Sequence, residues 1–200
     1  LVLIEIIELL KTKINITMKI KIKEVTPGCM PEIIKVGDCI DLMTSEDYIL
    51  KCPNIKKYSK YKGNNKVIER VGEVSFQYAL LDLGVVIELP KGFEAILLPR
   101  SSTFKKWGII QTNSIGEIDQ SFCGPNDIWK MPVLATRSIT IPKGTPIAQF
   151  KIQLSQKATI WQKLRWLFSP KIELVKVDEL HNEDRGGLGT GSDKYRNNNN

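Results

Sequence analysis

Short runs of β-forming residues, each ended by proline or glycine, recur along most of this 200-residue chain. Residues 18–25 alternate apolar and charged side chains, which is the period-two pattern of a strand with one buried face. Further strands are predicted at residues 83–89, 94–98, 109–112, 132–135, 139–141 and 147–154. Many short strands separated by turns predict an all-β fold, either a sandwich or a barrel.

Two stretches depart from this pattern. Residues 54–70 are basic and polar, and they are predicted to form a solvated loop or insertion, with phosphate attraction as the alternative. Residues 158–168 carry two tryptophans, and Ile160, Leu164 and Leu167 fall at positions i, i+4 and i+7. This spacing predicts a short amphipathic helix. We expect it to pack on the body or between subunits rather than on a membrane or partner.

The chain divides into three parts. Residues 1–17 form an extension whose apolar run is interrupted by Glu5 and Glu8, without the basic start and cleavage site of a signal peptide. Met18 is interpreted as the natural start, and a short helix packed on the body is the alternative interpretation of the extension. Residues 18–181 form the predicted β domain, with insertions near 54–70 and 156–169, and residues 182–200 form a glycine-rich arm and tail.

The charge and cysteine content limit the possible partners. The formal net charge of +7 permits an anionic partner, but it fits a compositional bias equally well. No arginine-rich stripe with interleaved aromatic residues favours nucleic acid. The four cysteines form no CxxC pair and the chain has one histidine, so no zinc site is expected. Scattered cysteines of this kind favour a reducing, cytoplasmic location.

Five polar or glycine-rich segments carry the candidate chemistry. Arg100, Ser101 and Ser102 offer a guanidinium group and two hydroxyls, which are the donors that phosphate oxygens require. Asp119 lies beside a glycine-containing turn, where its carboxylate can accept a proton from water or simply cap the turn. The glycines of residues 186–191 are too dense for a helix or strand, and their amides can cradle phosphate unless the segment is only a linker. In chain order the segments are residues 37–42, 99–105, 113–124, 144–150 and 184–192.

In this order, the five segments resemble the five motifs of the dUTPase family. The resemblance extends over residues 18–192, and residues 123–150 are especially similar to bacterial and phage members. It implies a jelly-roll-like β-barrel or sandwich with a flexible C-terminal arm. It also implies a homotrimer that hydrolyses dUTP to dUMP and pyrophosphate with Mg²⁺, without nucleic-acid or membrane partners.

The resemblance also implies roles for individual residues. Asp119 would orient the water that attacks the α-phosphorus, and Arg185 would act as an arginine finger on the arm. Asp41 would be an organising carboxylate, while Mg²⁺ would be held chiefly by the three phosphates, with no protein residue assigned as its ligand. Substrate contacts would come from Arg100, Ser101, Ser102, Asn113, Phe122, Gln149, Leu188 and Thr190.

Three departures from the family pattern are present. Phe122 stands where the family has a tyrosine whose ring packs on deoxyribose. Leu188 replaces the aromatic residue that stacks on uracil, and residues 190–192 read Thr-Gly-Ser instead of Ser-Thr-Gly. We therefore expect packing of the Phe122 ring to preserve sugar discrimination, and the arm to hold the substrate more weakly.

Two other functions are alternatives to dUTP hydrolysis. One is a catalytically weakened binding or regulatory protein on the same fold, which the changes at Phe122 and Leu188 permit. The other is a dCTP deaminase, which shares the fold and the Arg-Ser-Ser motif but uses a glutamate after the third motif. No glutamate occurs between Phe122 and Thr145. The favoured interpretation places dUTP between subunits, where distant loops converge so that Asp119 faces the triphosphate near the Arg-Ser-Ser loop.

Overall fold

The computed structural model describes residues 17–62, 66–168 and 171–180. This part of the chain is mostly β-structure with two short helices. The first strands are β1 (Thr17–Glu24), β2 (Glu32–Ile33), β3 (Ile40–Met43), β4 (Tyr48–Leu50), β5 (Asn54–Lys62), β6 (Lys66–Ser75), β7 (Gln77–Asp82), β8 (Val85–Glu88) and β9 (Phe93–Pro99). The remaining elements are α1 (Thr103–Trp107), β10 (Ile109–Gln111), β11 (Gly116–Ile118), β12 (Lys130–Ala135), β13 (Ile139–Ile141), β14 (Pro146–Leu154), α2 (Ile160–Leu167) and β15 (Lys171–Val177).

Three sheets build the body, and their strand orders are β11-β9-β14-β3-β2, β15-β1-β8 and β10-β12-β7. Strands β13 and β4 form a separate pair. Strand β1 runs parallel to β15 and antiparallel to β8. The all-β prediction is confirmed, and so are the strands predicted from the apolar runs. Among the described residues, neither helix is long and apolar enough to cross a membrane.

The core lies between the inner faces of these sheets. Strand β1 confirms the alternating pattern, because Met18, Ile20 and Ile22 are fully buried while the lysines between them face outward. Trp129 and Phe150 meet edge to face in the centre, with ring centroids 5.1 Å apart. Burial of large apolar side chains is the main contribution to stability in such a fold.

The predicted loop at residues 54–70 is wrong. Strands β5 and β6 pair along their whole length as an antiparallel hairpin that hydrogen-bonds, within the described ranges, to no other strand. Isoleucine, valine and tyrosine in this segment favour strands, but the many lysines among them made the sequence resemble a solvated loop. Because backbone hydrogen bonds hold a hairpin together, its faces can remain polar.

The predicted helix at residues 158–168 is confirmed, but its apolar stripe does not pack on its own chain. Ile160 and Leu167 are 64% and 56% exposed. Trp166 is the residue that packs on the body, against Phe93 at a centroid distance of 5.3 Å. The extension before residue 17 and the arm after residue 180 lie outside the described residues.

Glu24 fastens the turn after β1 to the sheet. Its Oε1 accepts hydrogen bonds from the backbone N–H groups of Gly28, Cys29 and Met30 at 2.8, 3.0 and 3.2 Å. The side-chain hydrogen bond from Lys176 on β15, followed by the backbone bond from Gly28, lowers the pKa of Glu24 below its usual 4.5, although partial burial opposes this. The charged carboxylate therefore stabilises the folded state.

We predict that Glu24→Gln lowers the free energy of unfolding at neutral pH by about 2 kcal/mol, the scale of hydrogen bonds to a charged group. Since the folded-state pKa is depressed, this contribution is complete above pH 4.5 and is lost as the pH falls through the folded pKa. Urea unfolding at equal protein concentration, from pH 7 to about pH 3.5, measures the difference. Exposed Glu32→Gln is the control, and a difference independent of pH would contradict the assignment.

Candidate active site

Asp41, Arg100 and Gln149 come together on the five-stranded sheet. Gln149 on β14 pairs with Asp41 on β3 at one side and with Leu98 on β9 at the other. Arg100 follows β9 directly, and its Nη2 lies 3.0 Å from Oδ2 of Asp41. Asp41 is only 4% exposed. A buried carboxylate beside the guanidinium fixes the direction in which the arginine points.

The Arg-Ser-Ser loop is held in place by β14. The backbone N–H of Arg100 donates to the carbonyl of Ile147 at 3.2 Å, and the Thr103 hydroxyl donates to the same carbonyl at 2.6 Å. Ser102 is the N-cap residue of α1, and Ser101 is exposed. A cleft of about 550 Å³ opens here, which we name the arginine cleft. It is lined by Pro99, Arg100, Ser101, Phe104, Ile109, Ile110, Gln111 and Ser114.

Asn113 lies exposed in the turn that connects β10 to β11, two strands that belong to different sheets. Its Oδ1 accepts a hydrogen bond from Nε2 of Gln111 at 2.9 Å. Gln111 Nε2 also donates to the Leu97 carbonyl at 3.3 Å, which ties the turn to β9. Ser114 has a left-handed φ of 57° that closes the turn. The orientation of the Asn113 amide is thereby set before any ligand binds.

Asp119 follows β11 and is exposed. Its Oδ1 accepts hydrogen bonds from the backbone N–H of Ser121 at 2.8 Å and from the Ser121 hydroxyl. The Phe122 N–H donates to the Asp119 carbonyl at 3.2 Å, and the half-buried Phe122 ring packs on the core. Asp119 is therefore both held by a tight turn and accessible to water.

A second cleft, of about 500 Å³, surrounds Asp119, and we name it the aspartate cleft. The turn between β8 and β9 and the start of α2 form its walls. The sequence predicted strands on both sides of this turn, at residues 83–89 and 94–98, but indicated neither the place of the turn in this cleft nor Gln162. The lining residues are Lys91, Gly92, Glu94, Glu117, Asp119, Gln120, Ser121, Ser155, Gln156, Lys157, Thr159 and Gln162.

The two clefts lie at opposite ends of the β9–β11 pair. Gly116 pairs with Leu97 and Ile118 with Ala95, so Asp119 lies level with Glu94 while Arg100 is six residues further along. At about 3.3 Å per residue, Asp119 and Arg100 of one chain are about 20 Å apart. The expected convergence of Asp119 on the Arg-Ser-Ser loop therefore does not occur within a single chain.

Several expected site residues are not placed. Arg185, Leu188 and Thr190 lie outside the described residues. Within the described ranges, no group of three histidine, cysteine, aspartate or glutamate side chains could hold a metal ion. Asp41, the carboxylate beside the Arg-Ser-Ser loop, is already paired with Arg100. These residues therefore suit an Mg²⁺ ion that binds together with the nucleotide and takes its ligands from phosphate oxygens and water.

Cys123 supports the Asp119 turn from beneath. Its Sγ donates to the Gln120 carbonyl at 3.1 Å, and the side chain is buried. Burial, followed by the nearby carboxylates of Glu88, Asp127 and Asp119, raises the pKa of Cys123 to about 11. The group is therefore a neutral thiol at neutral pH.

We predict that iodoacetamide at about pH 8 alkylates exposed Cys52 while Cys123 stays unmodified, because the thiolate is the reactive form. Peptide mapping by mass spectrometry over a time course measures both rates. Cys52→Ser should remove the fast reaction, and Cys123→Ser should leave it unchanged. Alkylation of Cys123 in the folded protein at the rate of Cys52 would contradict its burial and raised pKa.

Comparison with known proteins relates this arrangement to a family. A sequence model described as dUTPase matches residues 69–192, more than half of the chain. The SPbeta prophage-derived deoxyuridine 5'-triphosphate nucleotidohydrolase YosS of Bacillus subtilis is 39% identical over 154 residues, which are 77% of this chain and 83% of that protein. The deoxyuridine 5'-triphosphate nucleotidohydrolase of a Hydrogenobaculum species is 33% identical over 117 residues, which are 58% of this chain and 71% of that protein.

The fold matches as well. The crystal structure of dUTPase from Streptococcus mutans superposes with a TM-score of 0.52 and 17% identity, over 70% of this chain and 98% of that one. The match to the sequence model and the similarity to the prophage protein carry the assignment, and the structural likeness supports the fold alone. The chain belongs to the dUTPase family.

Proposed function

We propose that this chain hydrolyses dUTP to dUMP and pyrophosphate at sites shared between the subunits of a homotrimer. The observation that carries the proposal is the separation of Arg100 from Asp119 by about 20 Å along β9, which places each in its own exposed cleft. One nucleotide can contact both groups only when they come from different chains. The free cysteines support a reducing, cytoplasmic location.

The arginine cleft binds the triphosphate. Arg100 presents a guanidinium oriented by Asp41, and Ser101 and Ser102 supply hydroxyl and backbone donors at the start of α1. Gln149 contributes its side-chain amide beside them. Donors oriented in advance stabilise the charge that shifts onto the leaving pyrophosphate without having to reorganise during the reaction.

Mg²⁺ is part of this proposal. When bound with the nucleotide, it would neutralise phosphate charge and favour departure of pyrophosphate. Phosphate oxygens and water would supply most of its ligands, which suits a hard cation that keeps part of its hydration shell. Asp41 would contact this hydration shell only through water, because its Oδ2 is paired with Arg100.

The aspartate cleft of a neighbouring subunit supplies the general base. Asp119 orients a water and accepts its proton as the oxygen attacks the α-phosphorus in line. The P–O bond to the β-phosphate breaks, and pyrophosphate leaves. The hydrogen bonds from Ser121 leave the aspartate exposed but restrict its rotation, and this position suits a base that must face one incoming water.

Nucleoside selection belongs to the turn that connects β10 to β11 and to the turn that follows β11. Asn113 has a fixed amide orientation that suits the donor and acceptor edge of uracil. Phe122 packs between the core and the deoxyribose, so that a 2′-hydroxyl meets its ring. Arg185, Leu188 and Thr190 of the C-terminal arm close over the nucleotide, with Arg185 as the arginine finger.

Exposed apolar side chains mark the surface that brings a second subunit to the arginine cleft. Phe104 and Ile110 line the cleft and are 59% and 49% exposed, and Tyr78 on the same sheet is 58% exposed. Gln111 Oε1 at this cleft is buried without a hydrogen-bond partner among the described residues. Contact with a neighbouring chain would cover the apolar side chains and bring polar groups to the amide.

We predict that Asp119→Asn lowers kcat for pyrophosphate release from Mg·dUTP at least about 100-fold, because it removes the general base. Arg100→Ala should chiefly raise KM, since it removes a phosphate contact and leaves Asp119 in place. Asp178→Asn, an exposed aspartate far along the chain, is the matched control. Equal rates for Asp119→Asn and the wild-type protein would remove the proposed role of Asp119.

We further predict complementation between two defective variants. Assayed at dUTP well below the raised KM of Arg100→Ala, Asp119→Asn and Arg100→Ala subunits that are unfolded together and refolded as random trimers should recover about a quarter of wild-type activity, because each mixed trimer has one site with both native residues. Refolded single variants provide the baseline. If mixing recovers no activity while mixed trimers are confirmed by native mass spectrometry, Asp119 and Arg100 do not act across a subunit boundary.

A further inference from the structure

The turn between β8 and β9 joins the Asp119 loop to α2. Its last residue, Gly92, donates its N–H to Oε1 of Gln120 at 2.9 Å. The Gly92 carbonyl accepts from the N–H of Ser155, also at 2.9 Å. A single glycine therefore bonds to the residue that follows Asp119 and to the segment that leads into α2.

Gln162 occupies the space that a side chain at position 92 would need. Gly92 has a φ of +83°, and a Cβ built there would lie 2.3 Å from Cδ of Gln162. Gln162 Nε2 donates to the carbonyl of Lys91 at 2.9 Å. The helix residue is thus seated directly on the turn, and glycine at position 92 allows this close approach.

The same glutamine also starts the helix. Gln162 Oε1 accepts from the backbone N–H of Thr159 at 2.6 Å, and the Thr159 hydroxyl accepts from the N–H of Gln162, forming a capping box. Trp166, one turn later, packs on Phe93 at the start of β9. Gln162 and Trp166 therefore decide which face of α2 meets the body.

Gln120 completes the connection on the catalytic side. It lies next to Asp119 in the chain, and its carbonyl accepts the Cys123 thiol at 3.1 Å. The other hydrogen bonds described above for the Asp119 turn come from Ser121 and Phe122, which are local in sequence. The bond from Gly92 to Gln120 is the contact in this set that ties the turn to a distant part of the chain.

We propose that Gln120 and Gln162 are positioning residues that hold the β8–β9 turn between α2 and the Asp119 loop, and so keep Asp119 in the geometry for attack. We name these contacts of Gln120 and Gln162 with the turn the clasp. The proposal rests on the proposed function of Asp119. It assigns to α2, whose apolar stripe faces away from the body, a role in supporting the reaction. Small displacements of a reacting group have large effects on rate, and a shift of about 1 Å can cost about 100-fold.

The test compares variants that break one link at a time. Gln120→Ala removes the acceptor for Gly92, whereas Gln120→Glu keeps an oxygen at the same position. Gln162→Met removes the link to Lys91 while keeping the length of the side chain. Lys163→Gly weakens α2 at an exposed position but leaves the Gln162 link, and Trp161→Ala alters an outward-facing residue of the same helix. The readouts are kcat and KM for Mg·dUTP and amide hydrogen exchange of Gly92 and Ser121.

We expect Gln120→Ala and Gln162→Met to lower kcat about tenfold with KM within about twofold of wild type, because phosphate binding lies elsewhere. Gln120→Glu should retain most of the rate, and Lys163→Gly and Trp161→Ala should change kcat by less than about twofold even if Lys163→Gly lowers Tm. Exchange at Gly92 and Ser121 should become faster only in Gln120→Ala and Gln162→Met.

The outcomes separate this inference from the proposed function. If the wild-type protein releases no pyrophosphate from dUTP, the proposed function fails, and exchange alone then decides whether the clasp holds the loop. If the wild-type protein is active but Gln120→Ala and Gln162→Met keep its kcat and its exchange rates, the positioning role is overturned. If Lys163→Gly lowers kcat as much as Gln162→Met, the effect belongs to helix stability and the clasp is likewise rejected.

Discussion

The position of β9 between β11 and β14 determines how the candidate site can be assembled. On one side, β14 and β3 bring Gln149 and Asp41 to the end of β9 where Arg100 emerges. On the other side, antiparallel pairing with β11 carries Asp119 toward the beginning of the same strand. A regular strand cannot bend back on itself over six residues, so the phosphate-binding donors and the carboxylate face different neighbours. The proposed subunit-shared site follows from this constraint.

Much of the site could be predicted from residue types. Phosphate chemistry is predicted because one segment carries a guanidinium and hydroxyls and another carries a carboxylate beside a turn. The order of the segments along the chain identifies the family. The relative placement of Arg100 and Asp119 could not be predicted, because it depends on the register of β9 with β11. Register arises from side-chain packing across the whole sheet and leaves little trace in a single strand.

The fold was predictable where one face of a strand is buried, as in β1 and β13, because burial imposes a period of two on the sequence. It was not predictable for the β5–β6 hairpin, whose lysines resemble those of a solvated loop. Helix α2 shows a different limit. Its apolar stripe correctly predicted the helix but does not pack on the body of its own chain, since Gln162 and Trp166 hold the opposite side there. The two side-chain hydrogen bonds of Gln162 orient this short helix more effectively than its exposed aliphatic residues do.

In the proposed site, one nucleotide contacts Arg100 of one subunit and Asp119 of another. The decisive measurement is a crystal structure of the wild-type protein with Mg²⁺ and a nonhydrolysable imido analogue of dUTP. We expect phosphate oxygens in hydrogen-bond contact with Arg100 and Ser101 of one chain, and a water between the α-phosphorus and Asp119 of a second chain, within about 3 Å of the carboxylate. A bound analogue whose phosphates and attacking water are held by a single chain, or whose α-phosphorus lies far from every Asp119, would contradict this arrangement.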